Sequence, residues 1–555
     1  MNQAAGPADA VVLGGKVISG EAGKLTDAEG VVVRGDRIIR LIRRSEAAAH
    51  TGPNTRVLDL GKRPLLPGFV DAHAHTEVVS SVSYGSLDCR APECSSISDL
   101  SDVFLSGIKS RRKGEWVVGQ ANLFFEKKLK EGRLPTRSEL DRLSTDHPIA
   151  LRAGGHVTVL NSKALEVSGI DRNFVEPTHS ITGIPEVERD ADGNPTGVVK
   201  EMDSLLPLPK IEASELKAAL LHGFETYFTR YGVTCVGEFS NTVAGIESMG
   251  ALATAGNLPL SLRVYIWSPG TLEVAQACKW QDHIELGAPE SLVRIQGIKL
   301  FSDGGFTAKN AAMNCCYVGS DTWRGEIAFP KYFLRKAYES TQAAGLQLAV
   351  HANGDRAQEW VCGIISELGG GSSGRTRTRI EHAGNLLPTP RTSEYWAKAG
   401  IFPVPQAPFI YASAEFFPDY MGEYGSRGRF PFKTLMRDGW RLGGSSDVYI
   451  GSEREATNPL FNIWCCMKRE SYSGQLIDPH EALSFEEALQ MHTLDAAASM
   501  GEDDVRGSLA PGKYADIIAL DLDPLSVPVD AIRKLSVDFV MSLGRVIRRP
   551  GEVQA

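Results

Sequence analysis

The sequence predicts an α/β protein built on a (β/α)8 barrel, with the two chain ends meeting in a separate β-rich domain. Three observations carry this expectation. The middle of the 555-residue chain alternates short apolar runs with helical stretches, as repeated β/α units do. Eight such runs can be counted, the number that closes a barrel of parallel strands. Both termini read instead as short strands separated by turns, so one discontinuous domain over residues 1–66 and 508–555 is expected around a barrel over 67–507.

From the N-terminus, Ala10-Val11-Val12-Leu13, Lys16-Val17-Ile18 and Gly30-Val31-Val32-Val33 are β-branched runs. A Gly-Asp turn then leads into residues 37–42, and a Pro-Asn turn into 56–60. The first barrel strand is expected at 66–72, followed by strands at 232–239, 260–267, 293–301, 346–352, 377–383, 400–406 and 441–446. Residues 515–520 and 537–543 return to the β character of the N-terminus. About 150 residues separate the first two barrel strands, far more than a helical crossover needs. An inserted subdomain over about 80–225 is therefore expected to cover the barrel mouth and shape the pocket. Inside it, Thr136-Arg137-Ser138-Glu139 reads as a helix start, Asn161 as a cap before Ser162-Lys163-Ala164-Leu165, and 190–197 as a polar turn.

Composition narrows the function. Hydrophobic residues at 42% and charged residues at 23% sustain a large core, and a net charge of −9 argues against a nucleic-acid partner. No run of about 18 apolar residues offers a membrane span. The nine cysteines are odd in number and include two vicinal pairs but no CxxC, which predicts reduced thiols and a cytoplasmic setting.

Six residues fall at the expected C-terminal ends of barrel strands, where such enzymes place their chemistry. His73 and His75 are two apart, so on a strand both rings face one side. Lys299 lies in the apolar run Gly297-Ile298-Lys299-Leu300-Phe301; a buried ammonium must be paired, deprotonated or modified, and Asp303 is the neighbouring acid that would pair it. His351, His382 and Asp447 close three later runs. Singly, each has an ordinary explanation as a core histidine, an ion-paired lysine or a turn aspartate. Together they form a nitrogen and carboxylate donor set without thiolates, which suits Zn²⁺ first, with Mn²⁺, Ni²⁺ or Fe²⁺ as alternatives. Such an ion lowers the pKa of bound water from ~15.7 to about 7, and a neighbouring aspartate can relay the proton to a leaving group. These parts fit hydrolysis of an amide-like bond.

The motifs PGFVDAHAH, GIKLFSDGG, HANGDRAQE, RIEHAG and GGSSD, closed by ALSFEEALQMHTLDAAASMG and GSLAPGKYADIIALDLDP, resemble the amidohydrolase superfamily in its YtcJ-like branch, to which N-substituted formamide deformylases belong. LPTRSELD, GHVTVLNSKAL and DADGNPTG extend the likeness through the insertion. The resemblance implies a distorted barrel, a small β-sandwich made from both termini, and a homodimer. It implies one or two divalent ions, with His73 and His75 binding the more buried one and His351 and His382 the second. Lys299 would bridge them after N6-carboxylation by CO2, and Asp447 would bind metal, act as general base and later protonate the leaving amine. His156, from the insertion, would face the substrate. The implied reaction is attack of a metal-activated hydroxide on a C–N bond of an amide, N-formyl or N-acyl small molecule. Alternatives are a deaminase, a cyclic-amide or lactone hydrolase, an isomerase or decarboxylase of the same fold, and a non-catalytic scaffold.

Three departures stand out: Gln406-Ala407-Pro408 in place of Gln-Pro, His492-Thr493 in place of Tyr-Thr, and an unusual loop at 314–317 expected to shape substrate choice. Gly354-Asp355-Arg356 is expected to anchor its loop by a local ion pair. The aromatic residues Phe124, Phe125, Phe409, Tyr411, Phe416 and Phe417 could line a pocket for an apolar group or belong to the core.

Overall fold

Seven parallel strands form the central sheet of the computed structural model, which describes residues 8–551 other than 25, 179, 181 and 372. They are β1 (Phe69–Ala74), β2 (Val233–Ser240), β3 (Ser261–Trp267), β4 (Val293–Phe301), β5 (Gln347–His351), β6 (Arg379–Glu381) and β7 (Phe402–Val404). Each pairs with its neighbour in chain order. Their side chains are nearly all buried, as strands covered on both faces require.

The eighth strand, expected at 441–446, does not form a ladder. That segment closes the barrel through two isolated parallel bridges, Gln406 with Ser445 and Ala74 with Val448. Its sequence explains the difference. Gly443 and Gly444 have no side chains to pack, and a Cβ on either would fall within 2.9 Å of Ser499 or His492. Asp447 then takes a left-handed φ of 47°, which ends extended geometry. The substitution at His492 is thus matched by glycine at 444; the ring is buried, and burial pushes it down to about 3.

The first strand also begins later than expected. Pro64–Pro67 belongs to a different sheet, of order Lys16–Val17, Pro64–Pro67, Ile517–Leu520, Val537–Ser542, Arg545–Arg548. A second sheet is built from Arg37–Ile42, Gly30–Arg34, Ala10–Leu13 and Arg56–Asp59. The two share an apolar core that includes Val12, Val31, Leu65, Ile517 and Phe539. Gly68 is the step from this unit into the barrel: its N–H donates to Asp516 O, and a Cβ there would lie 2.3 Å from the Thr234 hydroxyl.

Between β1 and β2 stands a six-stranded sheet of order Glu186–Arg189, Pro195–Lys200, Val157–Leu160, Ile149–Ala153, Val117–Ala121, Leu87–Asp88. The expected helix starts are present: Thr136 and Glu139 form a reciprocal capping box on Arg137–Asp141, and Asn161 caps Ser162–Val167. The polar turn is shorter than expected, since Pro195 already pairs with Arg189 in a hairpin.

Beneath the barrel, Glu502 is fully buried among Arg263, Arg294 and Arg506, at 2.8, 2.9 and 2.9 Å, and Arg506 also reaches Asp516. Burial opposes ionisation of Glu502, but the three guanidinium groups bring its carboxyl down to about 2. Glu502→Ala is expected to cost roughly 3–5 kcal/mol by stranding buried cations, read as a lower urea midpoint. The folded value lies below the ordinary 4.5. The contribution is therefore full above that pH and lost as the pH falls through the folded value. An unchanged midpoint would contradict this account. All nine cysteines are free thiols, and among the described residues no helix is long and apolar enough to cross a membrane.

Candidate metal centre

His73 and His75 leave the end of β1 with their Nε2 atoms 3.3 Å apart, and each lies 3.3 Å from Asp447 Oδ1. The other ring nitrogens are occupied. His73 Nδ1 is 2.7 Å from Glu381 Oε2, and Arg379 grips that carboxylate with bonds of 2.6 and 2.9 Å. His75 Nδ1 lies 3.2 Å from Phe239 O. Those outer contacts fix the two rings so that both Nε2 atoms face Asp447, the arrangement that orients metal-binding imidazoles. Burial, reinforced by the charge on Lys299, holds His73 well below the usual histidine range.

A second pair comes from the next strands. His351 ends β5 and His382 follows β6, with His382 Nε2 3.0 Å from His351 Nδ1. Gln406 Oε1 lies 2.7 Å from His382 Nδ1, and Gln406 Nε2 donates to Ser445 Oγ. The Gln-Ala-Pro sequence therefore keeps its glutamine in the site. Burial, with the neighbouring cations, lowers both histidines from their ordinary values. Asp447 joins the two pairs, since Oδ1 faces His73 and His75 while Oδ2 is 4.0 Å from His382. Burial works against its ionisation, yet the surrounding imidazoles hold its carboxyl well below the usual carboxylate range. Both His382 and Asp447 have positive φ, of 73° and 47°, a conformation that costs about 1–3 kcal/mol for non-glycine residues and concentrates at functional sites.

Lys299 is wholly buried, and its Nζ has no hydrogen-bond partner among the described residues. It sits 4.5 Å from the Phe239 ring centre and 4.9 Å from that of Phe301. Asp303, the expected partner, is used elsewhere: it accepts N–H bonds from Ala312, Asn353 and Gly354. Burial brings the Lys299 ammonium down to about 8. Its register partner on β3, Trp267, also has an unpartnered Nε1.

His156 enters from the insertion behind Gly154 and Gly155, which have φ of 69° and 76°. Its Nδ1 lies 2.9 and 3.1 Å from the two oxygens of Glu201. The structure thus brings all seven expected site residues to one cavity of about 810 Å³, open solvent at its mouth included. Phe124, Phe409 and Phe417 line it, with Leu123, Phe306 and Ile450. Phe125, Tyr411 and Phe416 do not, and pack into apolar clusters. Loop 314–317 also stays off the cavity, against expectation. Asn314 bonds to Asp355 and Glu359, and Tyr317 is buried with its hydroxyl donating to Ala311 O. Gly305, Phe306 and Thr307 approach the cavity in its place. Asp355 and Arg356 do anchor their loop, but through Asn314 N, Tyr424 and the Arg324 and Gly325 carbonyls, not an ion pair with each other.

Sequence reasoning missed Glu381 and Glu201. Glu381 stands inside RIEHAG, where an acid two residues from an arginine on a strand looks like an exposed pair. Glu201 closes an apolar, alternating strand much as Asp447 closes a glycine-rich one, and that was the available signal.

Imidazole nitrogens and a carboxylate oxygen that converge on one point fit a divalent cation, and His73, His75 and Asp447 form the compact set. Together, barrel and donor set define the class to which a metal-dependent hydrolase belongs. Comparison with known proteins agrees. The sequence profile of the amidohydrolase family matches residues 56–548, and the chain belongs to that family. It is 27% identical to the N-substituted formamide deformylase of Arthrobacter pascens, over 92% of this chain and 93% of that one. It is 25% identical to the putative amidohydrolase YtcJ of Bacillus subtilis (strain 168), over 89% and 91%. Among solved structures, an uncharacterized metal-dependent hydrolase from Pyrococcus horikoshii shares the fold with a TM-score of 0.70 at 22% identity, over 94% of this chain and 99% of that one.

Proposed function

We propose that the protein hydrolyses a C–N bond in an amide, N-formyl or N-acyl small molecule. The observation that carries this is the convergence of His73, His75 and Asp447 at the floor of a cavity with aromatic walls. His73, His75 and Asp447 would hold one ion, and His351 and His382 a second. When bound, a divalent ion supplies an acidified water and a Lewis acid for the carbonyl under attack. Asp447 accepts the proton of the attacking water and returns it to the leaving amine nitrogen. Burial brings the Lys299 ammonium down to about 8, which favours the free amine relative to an exposed lysine. Its lone pair can add to the carbon of CO2 with loss of one proton, giving a carbamate that puts an anion where an unpartnered ammonium stands. The likeness to a formamide deformylase supports a small acyl group, and Phe124, Phe306, Phe409 and Phe417 suit an apolar substituent on nitrogen. Nine free thiols support a cytoplasmic setting.

The test is a panel of N-formyl and N-acyl amines beside lactones, cyclic amides and amino-heterocycles, with products read by mass spectrometry. Release of an amine from an N-formyl or N-acyl compound is expected. Ammonia released from an amino-heterocycle, with every acyl compound inert, would assign a deaminase. Phe417→Ala is expected to raise KM roughly 10-fold or more for aryl-substituted substrates relative to methyl-substituted ones, the scale of losing apolar contact in a pocket. Equal KM changes for both would place the substituent elsewhere.

A further inference from the structure

We propose that Phe409 is a specificity-determining residue: its ring shuts the catalytic cavity off from a void behind it, and so sets the longest apolar substituent the substrate carries on nitrogen. The substrate half of this rests on the hydrolase reading; the partition between the two spaces does not. The void measures about 240 Å³, open solvent included, and shares Leu123, Phe409 and Ser452 with the cavity. Pro408, Ala412, Gly451, Glu453 and Ala456 enclose the rest of it. As it stands it has room for about one water, so a chain enters only where the shared wall yields.

Of the three shared residues, Phe409 is the one least held. Leu123 is backed by the insertion, since a Cβ on Gly154 would lie 2.3 Å from its Cδ2. Ser452 is buried, and its Oγ accepts the N–H of Tyr449 at 2.9 Å. Phe409 is half-buried at the head of the short helix Phe409–Ala412, in the segment that follows β7. Phe124, Phe306 and Phe417 on the same cavity each pack against another ring, whereas among the described residues no aromatic ring packs against Phe409.

The lining of the void says what would fill it. Glu453 is bound at 2.5 Å by Lys128, whose side chain is fully buried, so the pair brings no net charge. Ser452 Oγ is already engaged by the Tyr449 N–H. Gly451 leaves the space open, and it accepts no side chain, because a Cβ there would lie 1.8 Å from Ala121 O. Polar groups satisfied by the protein itself leave a space that favours hydrocarbon over water or ions. The class of group that fits is an uncharged alkyl chain.

The test is a series of N-formyl n-alkylamines, from methyl to decyl, with the metal-loaded enzyme. In the unaltered protein kcat/KM is expected to rise with chain length and then break. Phe409→Ala is expected to move the break to longer chains, raising kcat/KM roughly 10-fold or more for the first chain beyond it, and Phe409→Trp to move it to shorter ones. Phe417→Ala, at a residue that does not line the void, is expected to change KM but leave the break in place. No break in the unaltered protein, a break that stays put in Phe409→Ala, or one that moves as far in Phe417→Ala overturns the proposal. If Phe409→Ala does not fold, Phe409→Leu is read in its place. If no formamide of the series is cleaved, the hydrolase reading fails, and crystals under xenon pressure test the partition. Xenon behind residue 409 in Phe409→Ala but not in the unaltered protein supports it; xenon in both or in neither overturns it.

Discussion

Asp447→Asn is expected to lower kcat/KM by roughly 10³-fold, the scale of removing a positioned general base. The side chain keeps its size, so the loss comes from charge. Among the described residues, Asp447 is the only carboxylate within 4.0 Å of His73, His75 and His382 together. An amide there can neither take a proton nor balance a cation, so metal content should fall with activity. Stability should fall with it. Burial opposes the ionised form, but the imidazoles outweigh it and hold the carboxyl well below its ordinary range, so its charge contributes stability at neutral pH that an amide does not supply. The positive φ of 47° is one that asparagine tolerates as well as aspartate, so backbone strain adds nothing to the loss. A lower thermal midpoint beside near-complete inactivity is expected, and an unchanged midpoint would contradict the electrostatic part of this reading. A variant retaining more than about a tenth of the activity would remove Asp447 from the proton path.

Lys299→Ala carries the second large effect. Nothing among the described residues hydrogen-bonds to its ammonium, which stands 4.5 and 4.9 Å from the ring centres of Phe239 and Phe301. Removing an isolated buried charge should leave the fold intact or more stable. If the working form is a carbamate, the same change should abolish activity, roughly 10³-fold or more, and reduce metal content. Acetate or propionate diffusing into the vacated space should restore part of the activity, because a carboxylate replaces what the carbamate supplied. Lys299→Arg should gain nothing from either, since guanidinium neither carboxylates nor leaves room. Intact mass of gently handled protein should show a gain equal to CO2 that disappears in Lys299→Ala. Full activity in Lys299→Ala without added carboxylate would leave the lysine a packing residue.

Much of the barrel was legible because its strands are apolar runs closed by polar residues, a pattern that locates both strand and chemistry. His73 and His75 could be placed together from their spacing alone. Asp447 was legible for a different reason: it follows glycine and serine where a strand cannot continue, and the structure shows bridges and a left-handed residue there instead of a ladder. What stayed hidden depends on contacts between distant segments. Glu381 lies 308 residues from His73, and Glu201 lies 45 from His156; neither spacing leaves a local pattern. The unusual composition of the loop at 314–317 serves packing and not the cavity, since Tyr317 is a buried packing residue. The aromatic residues divided between wall and core, and no periodicity in such short helices could separate them.

The central claim is that His73, His75 and Asp447, with His351 and His382, hold a divalent ion on which activity depends. Elemental analysis of the purified protein, before and after chelation, tests it most directly. The account predicts about one to two equivalents of a divalent metal, activity lost on chelation and regained with Zn²⁺ or a related ion, and substoichiometric metal in Asp447→Asn. Protein that hydrolyses its substrate at full rate with well under one equivalent of any metal would contradict it.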